Sequence, residues 1–218
     1  MRISTDEAAE AEAKPGRRVA GQDPAKRNQI LDGAKRCFLE VGFDAASMND
    51  LTAAAGVSKG TLYVYFEDKA AILMSLIERE KRAALSAAAD VLNSEGPTRD
   101  VLTRFGIHVT TNLTSDVVIK AQRMVLGIAE RMPEVAQTFF AGDTFSAHTT
   151  LKDYLDAHPD EFDIADTDLA SRQFLELSMA SIYKRRLFGN LATPASEAQI
   201  ARVVASAVDI FMSYYARR

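Results

Sequence analysis

The sequence predicts an all-α protein: an N-terminal three-helix unit joined by a long helix to a larger helical unit, about nine helices in all. Three observations point there. Apolar residues recur at steps of three and four from Pro24 to the C-terminus. Runs that alternate apolar and polar residues, the mark of a half-buried strand, are absent. Glycine, proline and short polar capping residues punctuate the helical stretches where helices start and stop.

Residues 1–22 contain Pro15, Gly16 and Gly21 and lack periodicity, so they read as a flexible arm. Lys14, Arg17 and Arg18 at its end suit either a phosphate or groove contact or a solvated tail. In the first helix Ile30, Ala34, Cys37, Phe38 and Val41 build one apolar face, and Gly42 is expected to stop it. Ser47 followed by Asp50 is a capping box in its acidic form and opens the second helix. Gly56 can take the left-handed conformation that ends that helix, and Ser58 is the expected cap of the third.

Two short amphipathic helices separated by Ala-Gly-Val-Ser have the layout of a helix-turn-helix, in which the second helix enters the DNA major groove. Leu62 and Phe66, four apart, face the core, which turns Tyr63 outward. The candidate DNA contacts are Ser47, Ser58, Lys59, Gly60, Thr61, Tyr63, Tyr65 and Lys69. Lysine donates to guanine or phosphate, glycine permits close approach, and tyrosine reaches a thymine methyl or a phosphate oxygen. Core packing is the competing reading for Tyr65, and a solvated face for Lys59 and Thr61.

Asp68 caps a long helix carrying Ile72, Leu76, Ala83, Ala87 and Val91, ending near Gly96-Pro97. Further helices are expected over 97–113, 115–131, 133–157, 167–188 and 194–216, with Pro97, Pro133 and Pro194 in first-turn positions.

The chain has 218 residues, 47% hydrophobic and 26% charged, in the ordinary globular range. Its formal net charge of −4 describes solubility and non-specific attraction, not a docking face. No apolar run suits a transmembrane helix and the first twenty residues do not read as a signal peptide, so no membrane partner and a cytoplasmic location are expected. Cys37, the one cysteine, has no internal disulfide partner. His108, His148 and His158 are too scattered for a sequence-local metal site. No phosphate loop, nucleophile elbow or nucleophile with a recognisable base is present, so neither enzyme activity nor a cofactor is expected.

From Ala25 to Ile77 the chain resembles the TetR-type transcriptional regulators, through its first helix, Gly42-Phe43-Asp44 and LTAAAGVSKGTLYVYFEDKAAIL. Gly56-Val57-Ser58, Leu62-Tyr63, Tyr65-Phe66 and Lys69 fall at family positions. RMVLGIAERMPEVAQTFF and ASRQFLELSMASIY resemble the C-terminal domain of the AefR-like branch. The resemblance implies a homodimeric repressor with a DNA-binding domain at 23–69 and a ligand-binding and dimerisation domain at 70–218. It further implies a palindromic double-stranded DNA operator, released when a small molecule binds. An architectural DNA-binding protein whose second domain only dimerises is the alternative.

Phe105, Thr111, Met124, Phe139, Phe140, Tyr154, Phe174 and Met179 supply aromatic and soft groups for a pocket, although amphipathic helices also bury such residues as plain core. His108, Gln122 and Arg123 are the polar members able to orient a small, largely apolar or aromatic ligand. The last helix carries a wide stripe of Ile200, Val203, Val204, Ala207, Val208, Phe211, Tyr214 and Tyr215. With Phe174, Ser178, Ser181 and Ile182 on the preceding helix, it forms the expected dimer interface, with packing inside one subunit as the competing reading.

Overall fold

The computed structural model describes residues 23–140 and 147–217, excluding the side chain of Phe140. The expected N-terminal arm lies outside the described residues. Eleven helices are present: α1 (Pro24–Ala45), α2 (Met48–Ala55), α3 (Lys59–Tyr65), α4 (Lys69–Leu92), α5 (Thr98–Leu113), α6 (Asp116–Ile128), α7 (Pro133–Phe140), α8 (Ala147–Ala157), α9 (Thr167–Ser178), α10 (Tyr183–Leu187) and α11 (Glu197–Tyr215). Among the described residues there is no strand, and one isolated antiparallel bridge joins Phe162 to Ala216.

The expected caps form. Ser47 and Asp50 make a reciprocal capping box, Gly56 ends α2 at φ 62°, and Ser58 and Asp68 accept from the backbone N–H groups of Thr61 and Ala71. Several boundaries differ from the sequence reading: α4 ends at Leu92, short of Gly96-Pro97, and Pro97 caps α5 from outside its first turn. Gly42, at φ 82°, kinks α1 without ending it, and the helix resumes to Ala45. Pro194 precedes the last helix, which opens instead on a second capping box, Ser196 with Gln199. The stretch expected as one helix over 167–188 divides into α9 and α10, with Ser181 left-handed at φ 63°. The helix expected over 133–157 appears as α7 and α8, on either side of residues outside the description.

Two apolar cores organise the chain. The first gathers Ile30, Leu31, Phe38, Leu51, Leu62, Phe66, Ile72 and Leu73 from α1–α4, and takes in Val125, Ile128 and Val135 from α6 and α7. The second joins α4, α5, α8, α9 and α11 around Leu102, Phe105, Phe174, Val204 and Phe211. Gly33 lets α1 and α2 approach: a Cβ there would lie 2.4 Å from the Cα of Ala55. Arg186, buried at 2% exposure, donates to the carbonyls of Thr114, Leu191 and Ala192 and to Asp116, tying α10 to the start of α6.

The stripe on α11 is core of a single subunit, which corrects the expected interface. Ile200, Val204, Ala207, Val208 and Phe211 are buried against Phe174, Ser178 and Ile182 within the same chain, and Val203 is half-buried. Ser181 and Tyr214 are the exposed members of the set, and Tyr215 is half-buried. A wide apolar stripe is needed here because α11 packs on both α5 and α9. Beside Tyr214, the outer faces of these helices carry further exposed apolar groups: Leu169 on α9, Phe188 just after α10, and Ile210 on α11.

Candidate nucleic-acid interface and ligand cavity

The third helix is short, and its attachment decides what it presents. Ser58 supplies the cap, and its Oγ lies 2.8 Å from Thr61 Oγ1, so both hydroxyls are held in the first turn. Leu62, fully buried, and Phe66 pin one face to the first core. The opposite face is left outside: Lys59 and Gly60 are exposed, and Tyr63 and Val64 are 48% and 52% exposed. An exposed row of a cation, a glycine, a phenol and a branched apolar group offers base-edge donors and a thymine-methyl contact together. Val64 escaped the sequence reading, because only its outward placement marks it as surface.

The other candidates divide. Tyr65 is half-buried and packs against the first core, and its ring thus has a structural role. Ser47 is exposed, but its hydroxyl donates to Asp50 at 2.6 Å and accepts from the Asp50 N–H. That hydroxyl, with the Ser47 N–H, holds the Asp50 carboxyl below its usual range. Lys69 corrects the expectation of a phosphate ligand. Its ammonium donates to the carbonyls of Phe43, Asp44 and Ala46 at 2.9, 3.1 and 3.0 Å and sits 4.6 Å from the Phe43 ring centroid. An ammonium has three donors, and all three are used to clasp the α1–α2 turn to α4.

Below this unit lies a cavity of about 520 Å³, in the size range of pockets that hold small molecules. Residues from α1 and α4–α10 line it. His108, Gln122, Met124, Phe139 and Met179 are in the wall as expected from the sequence. Five candidates are elsewhere. Phe105 and Phe174 are fully buried in the second core, their tilted rings 6.2 Å apart, and Tyr154 packs on the His158 ring. Thr111 faces outward, and Arg123 donates to the carbonyls of Arg186 and Leu187. Phe140 lies outside the described side chains.

The wall also contains residues that the sequence reading assigned to the DNA-binding unit. Lys35, Phe38 and Leu39 reach the cavity from α1, so the two units share this space. Lys35 pairs with Glu80 of α4 at 2.6 Å, and Glu80 also receives Arg79 at 2.9 Å. Lys81 donates to the carbonyls of Thr138 and Phe139, and burial pushes its ammonium down from the usual lysine range. Among the described residues no cluster of His, Cys, Asp and Glu suits a metal ion, and no helix is long and apolar enough to cross a membrane.

Comparison with known proteins follows this division. The family model of TetR-family bacterial regulatory proteins matches residues 30–76, and that of the AefR-like transcriptional repressor C-terminal domain matches 100–217. The HTH-type transcriptional repressor Rv1474c of Mycobacterium tuberculosis is 42% identical over 78 residues, 36% of this chain and 41% of that protein. The repressor AcnR of Corynebacterium glutamicum is 37% identical over 79 residues, 36% of this chain and 40% of its own. The chain therefore spans about two fifths of the length of these curated relatives. In fold, a TetR-family regulator from Mesorhizobium loti MAFF303099 superposes with a TM-score of 0.82 at 19% identity, covering 88% of this chain and 98% of that one. The protein titled Flavonoid-responsive Regulator FrrA superposes at 0.71 with 25% identity, covering 90% and 100%.

Proposed function

Because the chain belongs to the TetR family of bacterial regulators, with a C-terminal domain of the AefR-like repressor type, we propose that it is a DNA-binding transcriptional repressor released by a small molecule. The observation that carries this reading is the cavity wall: Lys35, Phe38 and Leu39 belong to α1, which packs directly on the helix-turn-helix. A molecule that fills the cavity bears on the DNA-reading unit with no intermediary. It weakens DNA binding to the extent that it prefers the DNA-incompetent conformation, and a coupling of ~1–3 kcal/mol is a roughly 5- to 150-fold change in operator affinity. A closed core would favour a purely architectural protein; a cavity of about 520 Å³ favours an inducible one.

In this reading residues 23–69 read a palindromic operator, with Lys59, Gly60, Tyr63 and Val64 entering the major groove while Ser47, Ser58 and Thr61 set the helix against the backbone. Residues 70–218 bind the ligand and pair two copies in the cytoplasm, through the outer faces of α9 and α11 where Leu169, Ile210 and Tyr214 are exposed. The test is to select bound fragments from genomic DNA and titrate them with the purified chain, alone and with compounds that raise its melting temperature. Compounds that stabilise the protein through the cavity yet never alter DNA affinity would overturn the inducible reading.

A further inference from the structure

Helix α2 ends beside α1, and its last carbonyls divide between two kinds of partner. A helix leaves its C-terminal carbonyls without partners inside it, here those of Thr52, Ala53, Ala54 and Ala55. The turn serves the first two: the Gly56 N–H donates to Ala53 at 3.2 Å, and the Val57 N–H donates to Thr52 at 3.3 Å. The other two are served by α1. Arg36 Nη2 donates to the carbonyl of Ala54 at 2.6 Å, and Gln29 Nε2 donates to that of Ala55 at 2.8 Å and that of Gly56 at 3.4 Å. Lys26 Nζ donates to Gln29 Oε1 at 2.8 Å, so the amide is held from behind with its NH₂ toward the turn. Gln29, Gly33 and Arg36 follow at steps of four and three on one face of α1. Gly33 gives the close approach to α2, and the side chains on either side of it complete the cap.

We infer that Gln29 and Arg36 are positioning residues for DNA recognition: from α1 they fix the turn that aims α3 into the groove. Leu62 and Phe66 seat the inner face of α3 on the core, but its first turn enters from Gly56 through Val57 and the Ser58 cap. Lys59 and Gly60 therefore follow closely on a carbonyl that Gln29 holds. Arg36 adds a positive charge at the negative end of α2, which favours the same arrangement. Both side chains are exposed, so water can take over the carbonyls when either is removed. The fold then survives, while the direction of the turn is no longer set. Base edges are read by hydrogen bonds that weaken steeply when misaligned, whereas attraction to phosphates is independent of sequence. The loss therefore falls on specific binding.

The test takes the full-length chain, a duplex that it enriches from random-sequence DNA, and a shuffled duplex of the same composition. Gln29→Met and Arg36→Met remove the donors and keep an unbranched side chain. Each is expected to lower the ratio of enriched to shuffled affinity at least about fivefold, the loss that one mismatched base pair produces. The melting temperature should stay within about 4 °C of wild type, because exposed hydrogen bonds are being exchanged for water. Arg36→Lys, which keeps a donor, should restore the ratio to within about twofold of wild type. Gln29→Leu stands in if the methionine variant does not fold. An equal fall on both duplexes, with a shallower salt dependence, would make these side chains phosphate contacts and overturn the assignment. So would a large fall in melting temperature with an unchanged ratio, which would leave them a role in stability alone. Enrichment of no duplex by the wild type would remove the operator itself, and the assignment with it.

Discussion

Lys35 of α1 and Glu80 of α4 meet at 2.6 Å in the wall of the cavity, so one contact both ties the first helix to the long one and lines the space beneath them. Both side chains are more than a third exposed, which limits the pair to under about 1 kcal/mol of stability. Its placement matters more than its strength.

Glu80→Gln is therefore expected to leave stability within about 1 kcal/mol of wild type while reducing the change in operator affinity that a cavity ligand produces. The pH dependence is specific. Burial pushes the Glu80 carboxyl up, but hydrogen bonds and charges from Lys35 and Arg79 outweigh it and hold the group below its ordinary 4.5. A carboxylate depressed in the folded state stabilises above its unfolded value and loses that contribution as pH falls through the folded one. Denaturant unfolding of wild type and variant should differ by a constant amount at neutral pH, with the gap closing below 4.5. A gap that widens on acidification would refute this account.

Gly33→Ala tests the α1–α2 contact. Alanine favours a helix by about 1 kcal/mol over glycine, but its Cβ would lie 2.4 Å from Ala55 Cα and 2.5 Å from Ala55 N. Those are backbone atoms, so α2 must shift as a unit, and overpacking of this kind costs about 1–3 kcal/mol. The clash should win: a lower melting temperature and weaker operator binding together. A melting temperature above wild type would show that α2 moves freely.

Lys59→Ala and Tyr63→Ala should each weaken operator binding by ~1–3 kcal/mol and change stability by no more than about 0.5 kcal/mol, since both side chains are outside the core. Lys69→Ala should behave differently, because it removes three hydrogen bonds to the α1–α2 turn and so lowers the melting temperature. Paired melting and fluorescence-anisotropy titrations distinguish the classes. Equal loss of folding in all three would place Lys59 and Tyr63 in the core.

Phe211 and Tyr214 lie three residues apart with opposite expected outcomes. Phe211, 1% exposed, meets the rings of Phe162, Phe174 and Tyr215 at 6.1, 5.2 and 4.9 Å, and its truncation to Ala should cost about 3–5 kcal/mol. Tyr214 is 78% exposed, so Tyr214→Asp should keep the fold and weaken the proposed dimer. Sedimentation and thermal melting measure both, and a wild-type chain that sediments as a folded monomer would remove the second expectation.

The helix-turn-helix was legible because its determinants are local. The Ser47–Asp50 box, the left-handed Gly56 and the Ser58 and Asp68 caps act within three or four residues, and hydrogen bonds at that range depend on little beyond the local sequence. The helical period of the later segments is local in the same sense, which is why an all-α chain could be read from the pattern. The left-handed Ser181 broke one expected helix without a glycine or proline to announce it.

What the tertiary structure decided is where each apolar or charged face goes. Periodicity states that α11 has an apolar stripe but not whether its own subunit or another covers it; packing on α5 and α9 answers that. Arg123 reads as a pocket cation until the carbonyls of Arg186 and Leu187, more than sixty residues away, claim its donors. Lys69 reads as a phosphate ligand until three carbonyls from the α1–α2 turn surround it. Gln122 reads as a ligand-facing amide until folding buries the side chain and shields its Oε1. Local hydrogen bonds and helical spacing are written in consecutive residues, whereas burial and partner choice belong to distant segments that only the fold brings together.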